Sequence, residues 1–397
     1  MRCGIEFEYL IVDIAGPEAE RIRDFSNLPF PWISAVLTDK PGCDDPTLAT
    51  GDLGIKRGYW YLEGDERFHA DGRFRTLEVK GVEIRTPPAA SVAGALDKLL
   101  EIESQLAVRL AENGLGLGIV GFNPERPRYD FTPPLNPWEQ QLRQAHRAYD
   151  GSQVSTLSYG PDINLSMPGW TPEQALLASS KLNHYAPYIL PFSFSSPFYA
   201  GRRWPGSSKR TFERAGRRPT VKLFLDDAAL ARLAPTSRLV HPARLAVEAG
   251  RIEFKAFDAQ PSFALLAACC HLLEGICRSE ELDGQLAEQL GNQQGQAGEH
   301  IDIALYQRAA QAGFADNEIS RGAGQVLAHA KAALEQAGKP AAAAALAPLE
   351  ALLAERLTPA HALLASHRQG GPMYKPGGLA SASPAFPSLS EPLCEHA

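Results

Sequence analysis

The sequence contains 397 residues, with 44% hydrophobic and 21% charged side chains and a formal net charge of −7. This balance is typical of a globular chain, and the acidic excess argues against binding of bulk nucleic acid. No apolar run reaches the ~20 residues that span a bilayer, a predicted strand starts at residue 4, and the six cysteines form no CxxC pair. We therefore expect a reduced, cytoplasmic protein that binds neither nucleic acid nor a membrane.

The first predicted strand covers residues 4–13 and alternates between apolar and polar side chains. Ile5 and Phe7 point to one face, which reads as core, and Glu6 and Glu8 point to the other. Two carboxylates about 7 Å apart on one strand face repel each other unless a cation lies between them, and Mg²⁺ prefers oxygen ligands. The pattern favours a metal site, and the alternative is a solvated strand face.

A second acidic strand is predicted at residues 77–86, where the alternation of apolar side chains changes phase at Gly81. A β-bulge at this glycine would restore the phase and place Glu78 and Glu83 on the same face. The second strand then also combines an apolar face with a carboxylate face.

A third strand of this kind is predicted at residues 162–166, with Asp162 and Asn164 on its polar face. The alternative role for Asp162 is local, because aspartate readily caps a turn and this one follows Gly160 and Pro161. The functional interpretation places its carboxylate on the open, polar side of the sheet, together with those of the other acidic strands.

The last acidic strand is predicted at residues 251–258, with Arg251, Glu253 and Lys255 on one face. A basic segment precedes it and contains a single acid, Glu213. Its cations are Arg202, Arg203, Lys209, Arg210, Arg214, Arg217, Arg218 and Lys222. In a net-acidic chain this reversal of sign favours a site for phosphate or carboxylate, and the alternative is a solvated basic loop.

The remaining predicted elements are mostly helical. The sequence favours helices at residues 89–113, 138–149, 172–190 and 263–277, strands at 59–62 and 119–122, and an otherwise irregular region at 14–75. Strands with one apolar and one polar face are typical of a largely antiparallel sheet with helices on one side. We therefore expect an α+β fold with one catalytic domain at residues 1–367, sheet-rich over 1–260 and helical over 261–367, followed by a mobile tail at 368–397.

Four short motifs resemble the glutamate–cysteine ligase/carboxylate–amine ligase family, whose catalytic domain is similar to those of glutamine synthetase and the guanidino kinases. They are Gly4-Ile5-Glu6-Phe7-Glu8, Val82-Glu83-Ile84-Arg85-Thr86-Pro87, Ser195-Ser196-Pro197-Phe198-Tyr199-Ala200-Gly201-Arg202, and His241-Pro242-Ala243-Arg244 continuing to Gly250 through Asp258. The resemblance covers roughly residues 1–290 and implies a curved antiparallel sheet.

The resemblance also implies an ATP- and Mg²⁺-dependent ligase that activates an amino-acid carboxylate, usually the γ-carboxylate of glutamate, as an acyl phosphate for attack by an amine. By motif position, the implied Mg²⁺ ligands are Glu6, Glu8, Glu83 and Glu253, with Glu78 as a further candidate. The implied catalytic residues are Lys255, Arg202 and Asp162, and the implied ATP-phosphate contacts are Lys255, Arg251, Arg203 and Lys222.

Three residues differ from the family pattern. Lys255 stands where the family usually has arginine, and Asp162 and Asn164 occupy a strand that commonly carries histidine. An ionised aspartate only accepts hydrogen bonds, so Asp162 is expected either to ligate Mg²⁺ or to receive the amine of a substrate.

Two other functions remain open at this point. The chain could be a phosphotransferase to a guanidino or amine acceptor, or a non-catalytic homologue that binds a nucleotide or an amino acid. The expected partners are small-molecule amino acid and amine substrates. The oligomeric state is open, with a homodimer among the options.

Overall fold

A computed structural model describes residues 1–16, 18–50, 55–145, 152–215, 219–235, 237–283 and 302–381. Within these ranges, ten strands form one sheet and two short strands form a separate hairpin. The sheet contains β1 (Arg2–Asp13), β2 (Ile22–Arg23), β3 (Trp60–Phe68), β4 (Phe74–Arg85), β5 (Leu115–Ile119), β6 (Pro161–Ser166), β9 (Val221–Leu225), β10 (Val240–Pro242), β11 (Arg251–Phe254) and β12 (Lys375–Pro376). The hairpin contains β7 (Phe198–Tyr199) and β8 (Arg202–Arg203).

The main path of the sheet runs β10-β9-β11-β6-β1-β4-β3, and β2, β5 and β12 extend it beside the second half of β1. Every pair is antiparallel except β9 and β10, which are parallel. Strand β1 pairs with β2, β4, β5 and β6 and is the centre of the sheet.

The described helices are α1 (Phe30–Val36), α2 (Val92–Ala111), α3 (Pro137–Ala145), α4 (Ser152–Ser155), α5 (Pro172–Ile189), α6 (Lys209–Arg214), α7 (Asp227–Leu233), α8 (Phe263–Arg278), α9 (Ile303–Ala312), α10 (Asn317–Gln336), α11 (Pro340–Ala344), α12 (Ala347–Ala354) and α13 (Pro359–Arg368). Helix α8 packs against both α2 and α5, which lie on the sheet, and α10 packs against α8 and α5. None of the helices in the described ranges is long and apolar enough to cross a membrane.

The alternation of β1 separates the core from the polar face as predicted. Ile5, Phe7 and Tyr9 are fully buried against the helical layer, while Glu6 and Glu8 lie on the opposite face. Burying a large apolar side chain contributes about 1.5–3 kcal/mol, so this face fixes the register of the strand. The orientation of both glutamates therefore follows from the burial of their neighbours.

The predicted irregularity at Gly81 is a β-bulge. Glu63 lies opposite Gly81 and Gly64 lies opposite Val79, so Lys80 is the extra residue of β4. A Cβ on Gly81 would come 2.1 Å from the backbone oxygen of Tyr9, which requires glycine at this close approach. The bulge restores the alternation and directs Glu83 to the polar face of the sheet.

Three expectations about elements are wrong. The strand expected at 119–122 lies at Leu115–Ile119, and the strand expected at 59–62 continues to Phe68. The region read as irregular also contains helix α1 and strand β2. The glycines of β5 and β3 interrupt the apolar pattern on which the expectation was based, and pairing with neighbouring strands compensates for them.

The expected mobile tail is packed as far as residue 381, and residues 382–397 lie outside the described ranges. Tyr374 and Lys375 are buried, and β12 pairs with β5. The carboxylate of Glu103 in α2 accepts hydrogen bonds from the backbone N–H groups of Leu379 at 2.6 Å and Ala380 at 2.8 Å. A polar composition indicated mobility, but the backbone hydrogen bonds to Glu103 hold this segment in place.

We expect Lys375 to make the stability of the protein depend on pH. Burial lowers the pKa of Lys375 to about 8, below the value of about 10.4 in an unfolded chain. Between these values the unfolded chain binds more protons, so the free energy of unfolding should rise with pH, by at most about 1.4 kcal/mol per pH unit. Chemical denaturation from pH 7 to 10 measures this slope, and Lys375→Met should reduce it; an unchanged slope in that variant would contradict the assignment.

Candidate active site

An open cleft of about 330 Å³ lies on the polar face of the sheet. Strands β1, β3, β4, β6, β9 and β11 contribute side chains to it, and residues 47–49 and 244–248 form parts of its rim. The lining combines carboxylates with many cations. Its charged residues are Arg2, Glu6, Lys56, Arg85, Lys222, Arg244, Glu248, Arg251, Glu253 and Lys255.

Two groups of carboxylates meet on this face and share Glu83. In each group, the three side chains offer oxygens within 4.8 Å of one another. One group contains Glu6, Glu83 and Asp162, and the other contains Glu8, Glu63 and Glu83. Strand pairing explains the convergence, because Glu8 lies directly opposite Glu83 and Glu6 lies directly opposite Asp162. The structure therefore brings Glu6, Glu8, Glu83 and Asp162 together.

Glu83, which belongs to both groups, is buried among other carboxylates. Burial raises the pKa of Glu83 well above its ordinary value, and the neighbouring carboxylates of Glu63, Glu6 and Glu8 raise it further. Burial also raises the pKa of Glu6, with further contributions from Asp162 and Glu253. Carboxyl groups packed this closely bind either a proton or a cation, because they cannot all be ionised a few ångströms apart without a compensating positive charge.

Tyr61 fixes the orientation of Glu83. Its buried phenol donates a 2.8 Å hydrogen bond to Oε1 of Glu83. Lys56 Nζ and the Arg85 guanidinium lie 5.0 and 5.1 Å from the centre of the Tyr61 ring. Arg85 also donates to the backbone oxygens of Gly58 at 2.9 Å, Lys56 at 2.6 Å and Ala49. This arginine thus attaches Ala49, Lys56 and Gly58 to the cleft.

A cationic array lies beside the carboxylate groups on β9 and β11. Glu253 contacts Arg251 at 2.7 Å, Lys255 at 2.8 Å and Lys222 at 3.6 Å. Although burial alone would raise the pKa of Glu253, Lys255, Lys222 and Arg251 hold it well below its ordinary value. Glu253 therefore lies in the cleft as an ionised group whose charge is already compensated.

Lys255 connects the two parts of the site. Its ammonium contacts Asp162 as well as Glu253, so two of the three residues that differ from the family pattern touch each other. Burial alone would lower the pKa of Lys255, but Asp162, Glu253 and Glu6 raise it, so the side chain stays charged. Asn164 links the same elements, because it accepts from Arg251 at 2.5 Å and donates to Glu6 at 3.2 Å.

A buried ion pair between Arg210 and Asp258 holds the chain segment that contains Lys255. Arg210 donates to the backbone oxygens of Ala256 at 2.6 Å and Lys255 at 3.2 Å, and it lies 3.8 Å from Asp258. Asp258 is fully buried and accepts from the hydroxyl groups of Ser196 at 2.6 Å and Ser208 at 3.0 Å. The resemblance motif around Ser195 and Ser196 therefore holds the segment that follows β11 rather than lining the cleft.

Three predicted site residues lie elsewhere. Glu78 lies on the same face of β4 as Glu83, because the bulge restores the alternation of side chains. It is nevertheless about 13 Å from Glu83 along the strand and lies opposite Asp65, too far away to share a metal ion. Arg202 and Arg203 are exposed on β8 and do not line the cleft, because the β7–β8 hairpin turns them to the surface. Lys222 does line it, and Arg217 and Arg218 lie outside the described residues.

Several residues of the site were missed by sequence reasoning. Glu63 and Tyr61 alternate on β3 and could have been found if that strand had been extended beyond residue 62. Arg85 stood in the second family motif without an assigned role, and Lys56 and Lys80 carried no usable signal. Their contacts in the cleft depend on a loop, a β-bulge and a long-range strand pairing, none of which the periodicity of apolar residues can predict.

The chemistry of the carboxylate groups fits a divalent cation such as Mg²⁺. The donors are all hard oxygens, burial and neighbouring carboxylates raise the pKa values of Glu6 and Glu83, and the spacing of the oxygens is that of a shared coordination sphere. Glu6, Glu83 and Asp162 could hold such an ion, as could Glu8, Glu63 and Glu83. Glu253 fits less well, since three cations already surround it.

The architecture is that of known ligases. It is similar to a bifunctional glutathione synthetase from Pasteurella multocida, with a TM-score of 0.56 and 14% identity over 93% of this chain and 50% of that chain. It is also similar to a glutamate–cysteine ligase from Francisella tularensis in complex with AMP, with a TM-score of 0.50 and 12% identity over 93% of this chain and 85% of that chain. These similarities confirm the predicted α+β fold class.

The chain belongs to glutamate-cysteine ligase family 2 (GCS2), whose model matches residues 2–376. A Rubrobacter xylanophilus protein, provisionally named glutamate–cysteine ligase 2-1, is 28% identical over 143 residues, which cover 35% of this chain and 37% of that protein. The match thus spans little more than a third of that relative, and the chain spans half of the Pasteurella structure. The family resemblance inferred from the four motifs is confirmed.

Proposed function

We propose that this chain is an ATP- and Mg²⁺-dependent ligase that joins an amino-acid carboxylate to an amine through an acyl phosphate. The proposal depends on one observation: two clusters of carboxylate side chains, which have Glu83 in common, lie next to a cationic array. The array consists of Arg251, Lys222 and Lys255. Oxygen ligands for a metal ion beside cations for phosphate are what phosphoryl transfer requires. Membership of a ligase family supports the same conclusion.

The metal ion would be held by Glu6, Glu83 and Asp162 or by Glu8, Glu63 and Glu83. When bound, such an ion supplies charge neutralisation for the phosphate oxygens. Tyr61 orients Glu83 through its hydrogen bond, and Asn164 orients Glu6. These contacts keep the carboxylates in place before the substrates arrive, which favours a preorganised site.

The cations of β9 and β11 would bind the phosphates. Lys255, Arg251 and Lys222 all face the cleft, and each balances Glu253 in the absence of substrate. The polyphosphate of ATP would compete with Glu253 for these cations, which are already positioned to bind it. Asp162 would act either as a metal ligand or as the acceptor for a substrate amine, consistent with its place between Lys255 and Glu6.

The proposed reaction has two steps. A carboxylate oxygen of the acid substrate attacks the γ-phosphorus of ATP, and ADP leaves. The amine nitrogen then attacks the acyl carbon, the phosphate leaves as inorganic phosphate, and the amine loses a proton. We propose glutamate as the acid substrate because the Rubrobacter and Francisella relatives are named glutamate–cysteine ligases.

Product analysis tests this function. The full chain is incubated with ATP, Mg²⁺, glutamate and a mixture of amines that includes cysteine, and the products are separated by mass spectrometry. The proposal predicts an amide of glutamate together with equal amounts of ADP and inorganic phosphate. A phosphorylated amine without inorganic phosphate would instead establish a phosphotransferase, and binding of ATP without any turnover would establish a non-catalytic homologue.

A further inference from the structure

The two carboxylate groups differ in how many of their oxygens already accept hydrogen bonds. Both oxygens of Glu8 are occupied, Oε1 by Lys80 at 2.5 Å and Oε2 by the backbone N–H of Gly160 at 2.8 Å. Among the described residues, Glu6 accepts from Asn164 on Oε1 and Asp162 accepts from the ammonium of Lys255 on Oδ2, and Glu6 also makes a side-chain contact with Glu83 of the same group. The group with Glu6 and Asp162 therefore has more oxygen positions for an added cation than the group with Glu8.

Lys80 occupies the position of a cation beside Glu8. Its side chain is buried, and its ammonium donates to Glu8 at 2.5 Å and to the backbone oxygens of Ser158 at 2.8 Å and Ser155 at 3.2 Å. An ammonium has three protons, so these three acceptors satisfy it completely. The bulge of β4 is the cause, since Lys80 is the extra residue that it adds.

Lys56 balances the charge of Glu63, the second carboxylate in the group that contains Glu8. Lys56 contacts the carboxylate of Glu63, and its ammonium lies 5.0 Å from the centre of the Tyr61 ring. The Lys56 side chain is 35% exposed, whereas that of Lys80 is 7% exposed. Lys56 can therefore move into solvent at a modest cost, while Lys80 cannot leave without exposing buried polar groups.

We infer that Lys80 and Lys56 act as built-in counter-cations for Glu8 and Glu63, so the divalent ion binds tightly only at Glu6, Glu83 and Asp162. This inference rests on the proposed metal-dependent function. Glu8 is then the anchor of Lys80 rather than a metal ligand. A second ion near Glu8 and Glu63 competes with Lys56, because a divalent ion and an ammonium a few ångströms apart repel each other strongly in a partly buried site. Lys56 and Lys80 are positioning residues that set how many ions the cleft holds.

The number and affinity of bound ions test this directly. Mn²⁺ serves as the probe, and electron paramagnetic resonance measures free Mn²⁺ during titration of the full chain. We expect one tight ion per chain and a second that is at least about tenfold weaker. Asp162→Asn should weaken the tight ion by about tenfold or more, and Glu8→Gln should change it by less than about threefold.

Lys56→Met should strengthen the second ion by about tenfold, because it removes the competing ammonium. Lys98→Met is the matched control, since Lys98 also lies over a tyrosine ring, that of Tyr59 at 5.3 Å, but pairs with Glu101 at 2.8 Å instead of a cleft carboxylate. The control should leave both ions unchanged. Circular dichroism of each variant confirms folding. Because the Lys56 side chain is partly exposed, Lys56→Met should fold and keeps the test valid if Glu8→Gln does not.

Two ions of equal affinity in the unmodified chain would overturn the inference, as would loss of the tight ion in a folded Glu8→Gln variant. An unchanged second ion in Lys56→Met would also overturn it. Absence of any Mn²⁺ binding by the unmodified chain is a different outcome, because it would contradict the metal-dependent function on which the inference rests.

Discussion

Replacing Glu83 with glutamine is expected to remove most of the activity and at the same time to make the protein more stable. Glu83 is the carboxylate that the two groups share, so both would lose a ligand. Charge stabilisation by a metal ion contributes several kcal/mol to a transition state, and each 1.36 kcal/mol is a factor of ten in rate. Turnover should therefore fall by at least about a hundredfold.

The gain in stability follows from the raised pKa of Glu83, caused by burial and by the carboxylates of Glu63, Glu6 and Glu8. Above the unfolded pKa of about 4.3, the folded state binds more protons than the unfolded state, so stability falls as pH rises. Glutamine does not titrate and removes this loss. In metal-free buffer, the difference in unfolding free energy between variant and unmodified chain should grow with pH, by at most about 1.4 kcal/mol per unit.

Chemical denaturation with a chelator at pH 5 and pH 8, together with a turnover assay, measures both effects. Glu103→Gln is the matched control, because Glu103 is also a buried carboxylate but accepts from Tyr9 at 2.5 Å and from two backbone N–H groups. That variant should lose stability. A Glu83→Gln protein that is less stable than the unmodified chain at pH 8, or that keeps normal turnover, would contradict the proposed role.

Replacing Lys255 with methionine is expected to reduce both activity and stability. Its ammonium contacts Asp162 and Glu253, and Met would leave these carboxylates without that counter-charge. Breaking a fully buried pair costs about 3–5 kcal/mol, and we expect about 2 kcal/mol here because Glu253 keeps Arg251 and Asp162 is partly exposed. Loss of a preorganised cation should lower kcat by about a hundredfold.

The charge-conserving variant separates the two effects. Lys255→Arg keeps the cation and adds a bidentate fork, so it should retain activity within about tenfold. Lys331→Met controls for loss of a lysine, because Lys331 pairs with Glu350 at 2.6 Å on the surface, and neither property should change. Steady-state kinetics with varied ATP, combined with thermal denaturation, measures the outcome. Equal activity of Lys255→Met and the unmodified chain would rule out a role in phosphate binding.

The carboxylate face of the central strand was readable from sequence because it depends on local alternation. Burial of Ile5, Phe7 and Tyr9 forces Glu6 and Glu8 to the other face, and the phase change at Gly81 identified the bulge. These features need only the period of a strand and the close approach that glycine allows.

The cations of the site were harder to predict. Lys80 faces Glu8 only because it is the residue added by the bulge, and Lys56 and Arg85 reach the cleft through a loop and a strand end. Arg202 and Arg203 showed the opposite error, since a cluster of charges in sequence does not indicate which members turn towards a cleft. Long-range packing decides these orientations, and one sequence contains little information about it.

The position of Asp162 beside Lys255 also required the structure. The sequence marked both residues as departures from the family pattern, but it could not show that they touch. Their contact makes them one feature of the cleft. The experiments on Asp162 and Lys255 should therefore be combined, because the effects of residues in contact are not additive.

The most direct test of the central proposal is transfer of oxygen from the acid substrate to phosphate. Glutamate labelled with ¹⁸O in its γ-carboxylate is incubated with the full chain, ATP, Mg²⁺ and the amine that supports product formation. If an acyl phosphate forms, each inorganic phosphate released should contain one ¹⁸O atom, detectable by mass spectrometry or ³¹P NMR. Inorganic phosphate released without label, at the same rate as ADP, would contradict the ligase mechanism.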